Sequence, residues 1–190
     1  WKVGQELALA LLDKYLKEEG AYPQMVGLVV WGTAVMRTHG DDIAQILSLL
    51  GVRPVWQPES RRVQGLEVIP LSELGRPRID VTVRISGFFR DAFPNLINLL
   101  DQAVELVASL DESPDDNFLV RHLREDLEGR QIPPNPPLQR GDVGISPADE
   151  GEPPSRDTSL YRIFGSKPGT YGTGILQVLD QRNWETVQDL

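Results

Sequence analysis

The segment Arg78–Ser86 alternates apolar and polar residues without a break. Ile79, Val81, Val83 and Ile85 fall on one side, and Asp80, Thr82, Arg84 and Ser86 on the other, the period of a strand with unlike faces. Ser86-Gly87 interrupts the alternation, and beyond Phe89 the period lengthens. Phe93, Leu96, Ile97, Leu100, Val104, Val107 and Leu110 recur at i, i+3, i+4 spacing and predict one long helix. Asp91 is its expected cap, and Pro94 lies in its first turn, where a missing N–H costs little. The corner between strand and helix holds Arg84, Ser86, Gly87, Arg90 and Asp91.

The same periodicities order the rest of the chain. Trp1–Glu19 predicts a helix with Leu7, Leu11, Leu12, Tyr15 and Leu16 on one face, ended by Gly20. Met25–Trp31 is continuously apolar, as in a parallel strand covered on both faces. Gly32–Gly40 reads as a loop. Asp41 or Asp42 then caps a helix carrying Ile43, Ile46, Leu47 and Leu50, closed by Gly51. Val52–Trp56 reads as a strand in which Pro54 marks an edge or a start. Residues 66–70 form another strand, and Asp115–Glu128 a helix with Phe118, Leu119, Leu123 and Leu127 inward. A last strand at 160–164 leads into Gly165–Gly174, a glycine-rich loop, and a helix through Ile175, Leu176, Val178 and Leu179.

These elements predict an α/β fold: a doubly wound, mainly parallel sheet with helices on both faces. Its strands lie near 25–31, 52–56, 66–70, 79–85 and 160–164, the first and second joined as a β-loop-α-β crossover. Residues 1–128 form the core of the domain and 158–190 return to it. Between them, residues 129–157 carry seven of the fifteen prolines and few large apolar residues. Such a stretch buries too little surface to offset its ordering entropy, and it reads as a disordered insertion. The first residue already lies in a helix and the last ones begin a new one, so the chain reads as a piece of a longer polypeptide.

Composition narrows the chemistry. A net charge of −9 argues against a nucleic-acid footprint. The absence of cysteine excludes disulfides and thiolate metal sites. Two histidines far apart in sequence do not make a histidine-rich zinc site. No apolar run has the length of a membrane span, and no signal peptide is visible, so the expected location is cytoplasmic.

Few motifs carry chemistry. Gly169 and Gly174 have the spacing of a phosphate-binding loop, but Ile175 stands where the lysine belongs. Backbone N–H groups there can still hold a carboxylate, with Lys167 and Tyr171 as side-chain donors. A turn with no ligand explains the glycines equally well. His39, beside Asp41 and Asp42, combines an imidazole and carboxylates suited to a proton or a divalent ion. Helix capping by the aspartates is the simpler alternative. His122 reads as a residue bordering the core. Arg76, Arg78, Arg84 and Arg90 cluster around one strand, ready to meet an anionic ligand or to pair with carboxylates.

Several segments together resemble a known family: Trp31-Gly-Thr, Thr38-His-Gly-Asp-Asp-Ile-Ala-Gln45, Leu50-Gly-Val-Arg-Pro-Val-Trp56, Glu73–Pro94 and Arg162-Ile-Phe-Gly-Ser-Lys-Pro-Gly-Thr-Tyr-Gly172. They are similar to the large, tetrapyrrole-binding subunit of the ATP-dependent cobaltochelatases, relatives of the H subunit of magnesium chelatase. The resemblance covers nearly all of the chain outside 129–157. It implies a fragment of the subunit that holds a corrin while Co²⁺ enters it, with hydrogenobyrinic acid a,c-diamide as the substrate in cobalamin biosynthesis. An AAA+ ATPase and a companion subunit would use the ATP, in keeping with the lack of a phosphate-binding motif here. The alternatives are the porphyrin-binding H subunit, inserting Mg²⁺ for chlorophyll, and a non-catalytic segment that docks the ATPase partners.

On this reading Arg84, Ser86, Gly87, Arg90, Lys167 and Tyr171 face the substrate. His39, Asp41 and Asp42 are the candidates for base and metal donor, with His39 on the metal.

Overall fold

The computed structural model describes residues 1–129 and 160–166. Helix α1 (Lys2–Glu19) is followed by strand β1 (Met25–Val30), helix α2 (Gly32–Thr38) and helix α3 (Asp41–Leu50). Strands β2 (Val52–Trp56) and β3 (Val63–Val68) come next, then a single turn α4 (Leu71–Leu74) and strand β4 (Asp80–Ile85). Helices α5 (Gly87–Ala92), α6 (Pro94–Ala108) and α7 (Phe118–Gly129) lead to β5 (Ile163–Gly165).

A parallel sheet in the order β1-β4-β5 forms the centre, with helices around it, as expected of an α/β fold. Met25–Val30 pairs residue for residue with Asp80–Ile85, and Val83–Ile85 pairs with Ile163–Gly165. The return of the chain to the same sheet beyond residue 160 agrees with its apolar run there. The alternation in β4 is realised as burial. Val81, Val83 and Ile85 enter a core with Val30, Ile46, Leu50, Leu100, Val104 and Phe89. Arg84 points out to solvent on the other face.

Several expected details change. Val52–Trp56 and Val63–Val68 do not join the parallel sheet but pair with each other as an antiparallel hairpin. The connection from β1 therefore runs through α2, α3 and this hairpin to its real neighbour, β4. Two short strands separated by a few polar residues satisfy each other locally at less entropic cost than a distant pairing. Arg53 ties the hairpin to α4, donating to Glu67 at 3.1 Å and to Glu73 at 2.6 Å.

The expected Gly32–Gly40 loop is largely the helix α2, ended by His39 in the left-handed conformation, φ 59°. The residue before α3 is Gly40, so Asp41 and Asp42 are its first helical residues rather than caps. Both still suit the positive end of the helix dipole. The long helix predicted from Phe89 is two helices, broken at Phe93, with Pro94 opening the second. Ser86 caps the first, and Asp91 pairs with Arg90 instead. Helix α7 begins three residues later than Asp115, with the Asn117 side chain accepting from Val120 N–H at 3.2 Å.

Two of the four clustered arginines belong to the framework. Arg78 is completely buried. It donates to Glu112 at 2.7 and 2.9 Å, to the Gly51 carbonyl at 2.7 Å and to the Ile69 carbonyl at 2.8 Å. Arg76 donates to the Ser48, Leu49 and Pro77 carbonyls at 2.6, 3.2 and 2.9 Å. Burial pulls the Arg76 guanidinium down to about 10, which leaves it charged at neutral pH. Both arginines satisfy carbonyls at the carboxyl end of α3, where a cation is favoured. Gly51 is required twice over: its φ is 75°, and a Cβ would strike the Arg78 guanidinium.

Candidate functional site

In a parallel sheet the strands' carboxyl ends open on one edge, the usual place for a ligand. Here the exits of β1, β4 and β5 meet in one pocket of about 240 Å³, lined by Val29, Trp31, Arg84, Ile85, Ser86, Gly87 and Ser166. The expected corner residues Arg84, Ser86 and Gly87 are therefore brought together. Ser86 builds the corner. Its Oγ accepts from Phe89 N–H and from Gly32 N–H, both at 3.2 Å, and its own N–H donates to the Val30 carbonyl at 3.0 Å. One side chain thus caps α5 and ties it to the start of α2. Gly32 is a close approach: a Cβ there would overlap the Phe88 ring and stand 2.9 Å from Phe89 N. Gly32→Val is therefore expected to push α2 from α5 and open this corner. Hydrogen exchange of the Gly87–Ala92 amides in the full-length protein would detect it as faster exchange.

Two arginines at the corner play different parts. Arg90 is committed: Nη1 donates to the Ser166 carbonyl at 2.6 Å, and Nε and Nη2 pair with Asp91 at 2.7 and 3.0 Å. It braces the exit of β5 against α5. Arg84 is exposed and makes no hydrogen bond or ion pair among the described residues. It is the guanidinium at this pocket open to a bidentate anion such as a carboxylate. Lys167 and Tyr171, the donors expected from the glycine-rich loop, lie outside the described residues.

His39, Asp41 and Asp42 lie elsewhere, at the turn between α2 and α3. His39 lines a larger apolar pocket of about 340 Å³ with Val35, Met36, Trp56, Phe93 and Leu96. Its imidazole has no hydrogen-bond partner among the described residues. Burial, and then the neighbouring Asp41, push the Asp42 carboxyl above its ordinary value, while Arg37 opposes the shift. Among the described residues, no group of three or more His, Asp or Glu gathers as a metal site would require. The two parts of the expected site are thus separated by the length of α2, about 10 Å by helical rise.

One cluster escaped the sequence reading. Asp80, placed on the polar face of β4, is completely buried, and His122 contacts it at 2.7 Å. Arg162 Nε donates to the same carboxylate at 2.8 Å. The only signal in the sequence was an aspartate at the start of a strand. Its partners stand 42 and 82 residues away.

Comparison with known proteins finds relatives along the whole chain. The model of the family described as CobN/Magnesium Chelatase matches residues 1–190. The aerobic cobaltochelatase subunit CobN of Pseudomonas aeruginosa is 49% identical over 190 residues, all of this chain and 14% of that protein. The chloroplastic magnesium-chelatase subunit ChlH of Oryza sativa subsp. indica is 35% identical over 188 residues, 96% of this chain and 12% of that protein. The solved catalytic subunit of cobaltochelatase from Mycobacterium tuberculosis superimposes with a TM-score of 0.78 at 52% identity, covering 97% of this chain and 14% of that one. The chain thus spans about a seventh of the length of these relatives. Among the described residues no helix is long and apolar enough to cross a membrane.

Proposed function

Because this chain belongs to the CobN/magnesium chelatase family, we propose that it forms one wall of the tetrapyrrole cavity in the large subunit of an ATP-dependent metal chelatase. The reaction inserts Co²⁺ into a corrin, hydrogenobyrinic acid a,c-diamide, within cobalamin biosynthesis in the cytoplasm. An AAA+ ATPase and its companion subunit use the ATP. The observation that carries the reading is the pocket where three parallel strands end beside the exposed guanidinium of Arg84, unpaired among the described residues. A corrin carries peripheral carboxylates, and Arg84 suits one of them. The Ser86-Gly87 turn lines the pocket beside it, and Arg90 holds the β5 side of the pocket in place. Lys167 and Tyr171, outside the described residues, are further candidate donors to the substrate. His39, with Asp41 and Asp42 behind it, is a candidate to hand over the metal or take a proton.

The second reading, Mg²⁺ and a porphyrin, draws support from the 35% identity to a magnesium-chelatase subunit. The higher identity to a cobaltochelatase subunit favours cobalt. Titrating the full-length subunit with the corrin and with protoporphyrin separates the two, and preferential binding of the porphyrin would reverse the assignment.

Arg84→Ala is expected to weaken tetrapyrrole binding by about 10- to 100-fold, the loss of one charge-assisted contact. Fluorescence titration of the full-length variant measures it. Unchanged affinity would remove this corner from the substrate wall.

A further inference from the structure

The buried Asp80 cluster is not needed by the pocket, yet it has the form of a proton-accepting pair. The Asp80 carboxylate receives three donors: Val81 N–H at 2.8 Å, Arg162 Nε at 2.8 Å and His122 Nδ1 at 2.7 Å. A carboxylate held by a guanidinium has no proton to give, so His122 Nδ1 is the donor in that contact. The neutral imidazole is thereby fixed as the Nδ1–H tautomer, and the lone pair lies on Nε2. Nε2 has no partner among the described residues, and the His122 side chain retains 18% exposure. A buried carboxylate behind an imidazole orients it and stabilises the imidazolium formed when it takes a proton.

The location matters as much as the pair. Asp80, Thr82 and Arg84 alternate onto the same face of β4, so Asp80 and Arg84 lie about 13 Å apart along the strand. Among the described residues nothing covers that face between them. Val29 is 58% exposed and Phe164 48%, and these two flank Arg84 in register on the neighbouring strands. At Gly27, opposite Thr82, an added Cβ would meet nothing within 4 Å. A flat macrocycle with an acidic edge can lie there, its carboxylate at Arg84 and its ring toward His122.

We propose that His122 is the base that removes pyrrole protons from a tetrapyrrole resting on this face, with Asp80 as its positioning residue. This rests on the chelatase reading above. In each transfer a pyrrole N–H bond breaks, and its electron pair stays on nitrogen and forms the bond to the divalent metal ion. The proton forms the Nε2–H bond of His122. The imidazolium then returns it to water; a corrin gives up one such proton, and a porphyrin two in turn.

The test uses the full-length subunit assembled with its partners. In His122→Ala the insertion rate is expected to fall at least about 100-fold, the usual scale for a general base, with the tetrapyrrole Kd within about twofold of wild type. Added imidazole is expected to restore the rate at least tenfold in this variant and to leave Arg84→Ala unaffected. A rate within threefold of wild type overturns the proposal, as does a parallel loss of affinity without imidazole rescue. Gly27→Leu covers the case in which the histidine variant does not fold, because its side chain enters open space. At least a tenfold loss of tetrapyrrole affinity is expected, and affinity within twofold overturns the placement on this face. A wild-type subunit that binds no tetrapyrrole would instead sink the chelatase reading itself, an outcome distinct from every one above.

Discussion

Arg78→Ala is expected to be among the most destabilising single changes in this unit, by about 3–5 kcal/mol, the scale for breaking a buried ion pair from one side. The guanidinium is completely buried and joins three parts of the chain. Its bonds to Gly51 reach the end of α3, its bond to Ile69 reaches the exit of the hairpin, and its pair with Glu112 reaches the segment before α7. Removing it strands a carboxylate that is only 15% exposed and leaves two short carbonyl contacts unmet. Among the described residues Glu112 keeps only Asn117 Nδ2, at 3.0 Å. Arg78→Lys rescues little, because an ammonium cannot span a carboxylate and two carbonyls in one plane. Chemical denaturation of the full-length protein, followed by hydrogen exchange of the α3 amides, measures the loss. Pairing Arg78→Met with Glu112→Leu should recover part of it and no more, since the Ile69 carbonyl still lacks its guanidinium donor and the Gly51 carbonyl is left with the Ile69 N–H at 3.0 Å. Full recovery would mean that the ion pair, rather than the carbonyl contacts, is what the arginine is there for.

Asp80→Ala is expected to cost a similar amount for the converse reason. It removes the buried carboxylate to which the Arg162 guanidinium, 8% exposed, and the His122 imidazole are both bonded. The damage should concentrate at the return strand. Val83 N–H donates to the Arg162 carbonyl at 2.7 Å, and Arg162 is held in place by Asp80 through its side chain. Exchange of the Val83 amide should therefore accelerate in the variant by far more than that of Ser86, whose N–H donates to the Val30 carbonyl on the β1 side of the strand. Equal acceleration at both would show that the substitution loosens the whole sheet and that Asp80 is no specific clamp on β5. Asp80→Asn separates the electrostatic part. It keeps the volume while losing the charge, so a stability between wild type and Asp80→Ala is the expected result.

Asp80 and Arg78 also show how much was legible in the chain. Both were placed on β4 or its approach by the alternation around them, and that placement holds. Neither could be assigned a partner, because alternation reports which face a residue takes and says nothing of what lies across from it. The same limit produced the hairpin error. Val52–Trp56 and the run near 66–70 carry the residue types of strands, but residue type does not choose between a local antiparallel neighbour and a distant parallel one. The glycines at either end suggest a loop at Gly32–Gly40, where packing of α2 on α5 overrides the weak helix propensity of Gly32 and Thr33. Resemblance reached the family sooner than any of these, through segments that the local patterns left as turns and corners.

The sequence by itself determined the α/β class, the central strand with its two unlike faces, the Ser86-Gly87 corner after it, and a short strand at Ile163–Gly165 that joins the same sheet. Each is a matter of local period or of turn chemistry, and both are written residue by residue. Only the tertiary structure decided that Arg76 and Arg78 cap the end of α3 while Arg84 stays open to solvent at the pocket. It alone separated His39 from that pocket and brought Asp80, His122 and Arg162 together. Identical side chains differ in this way because their roles depend on burial and on partners tens of residues away. Those contacts exist only once the chain has closed on itself.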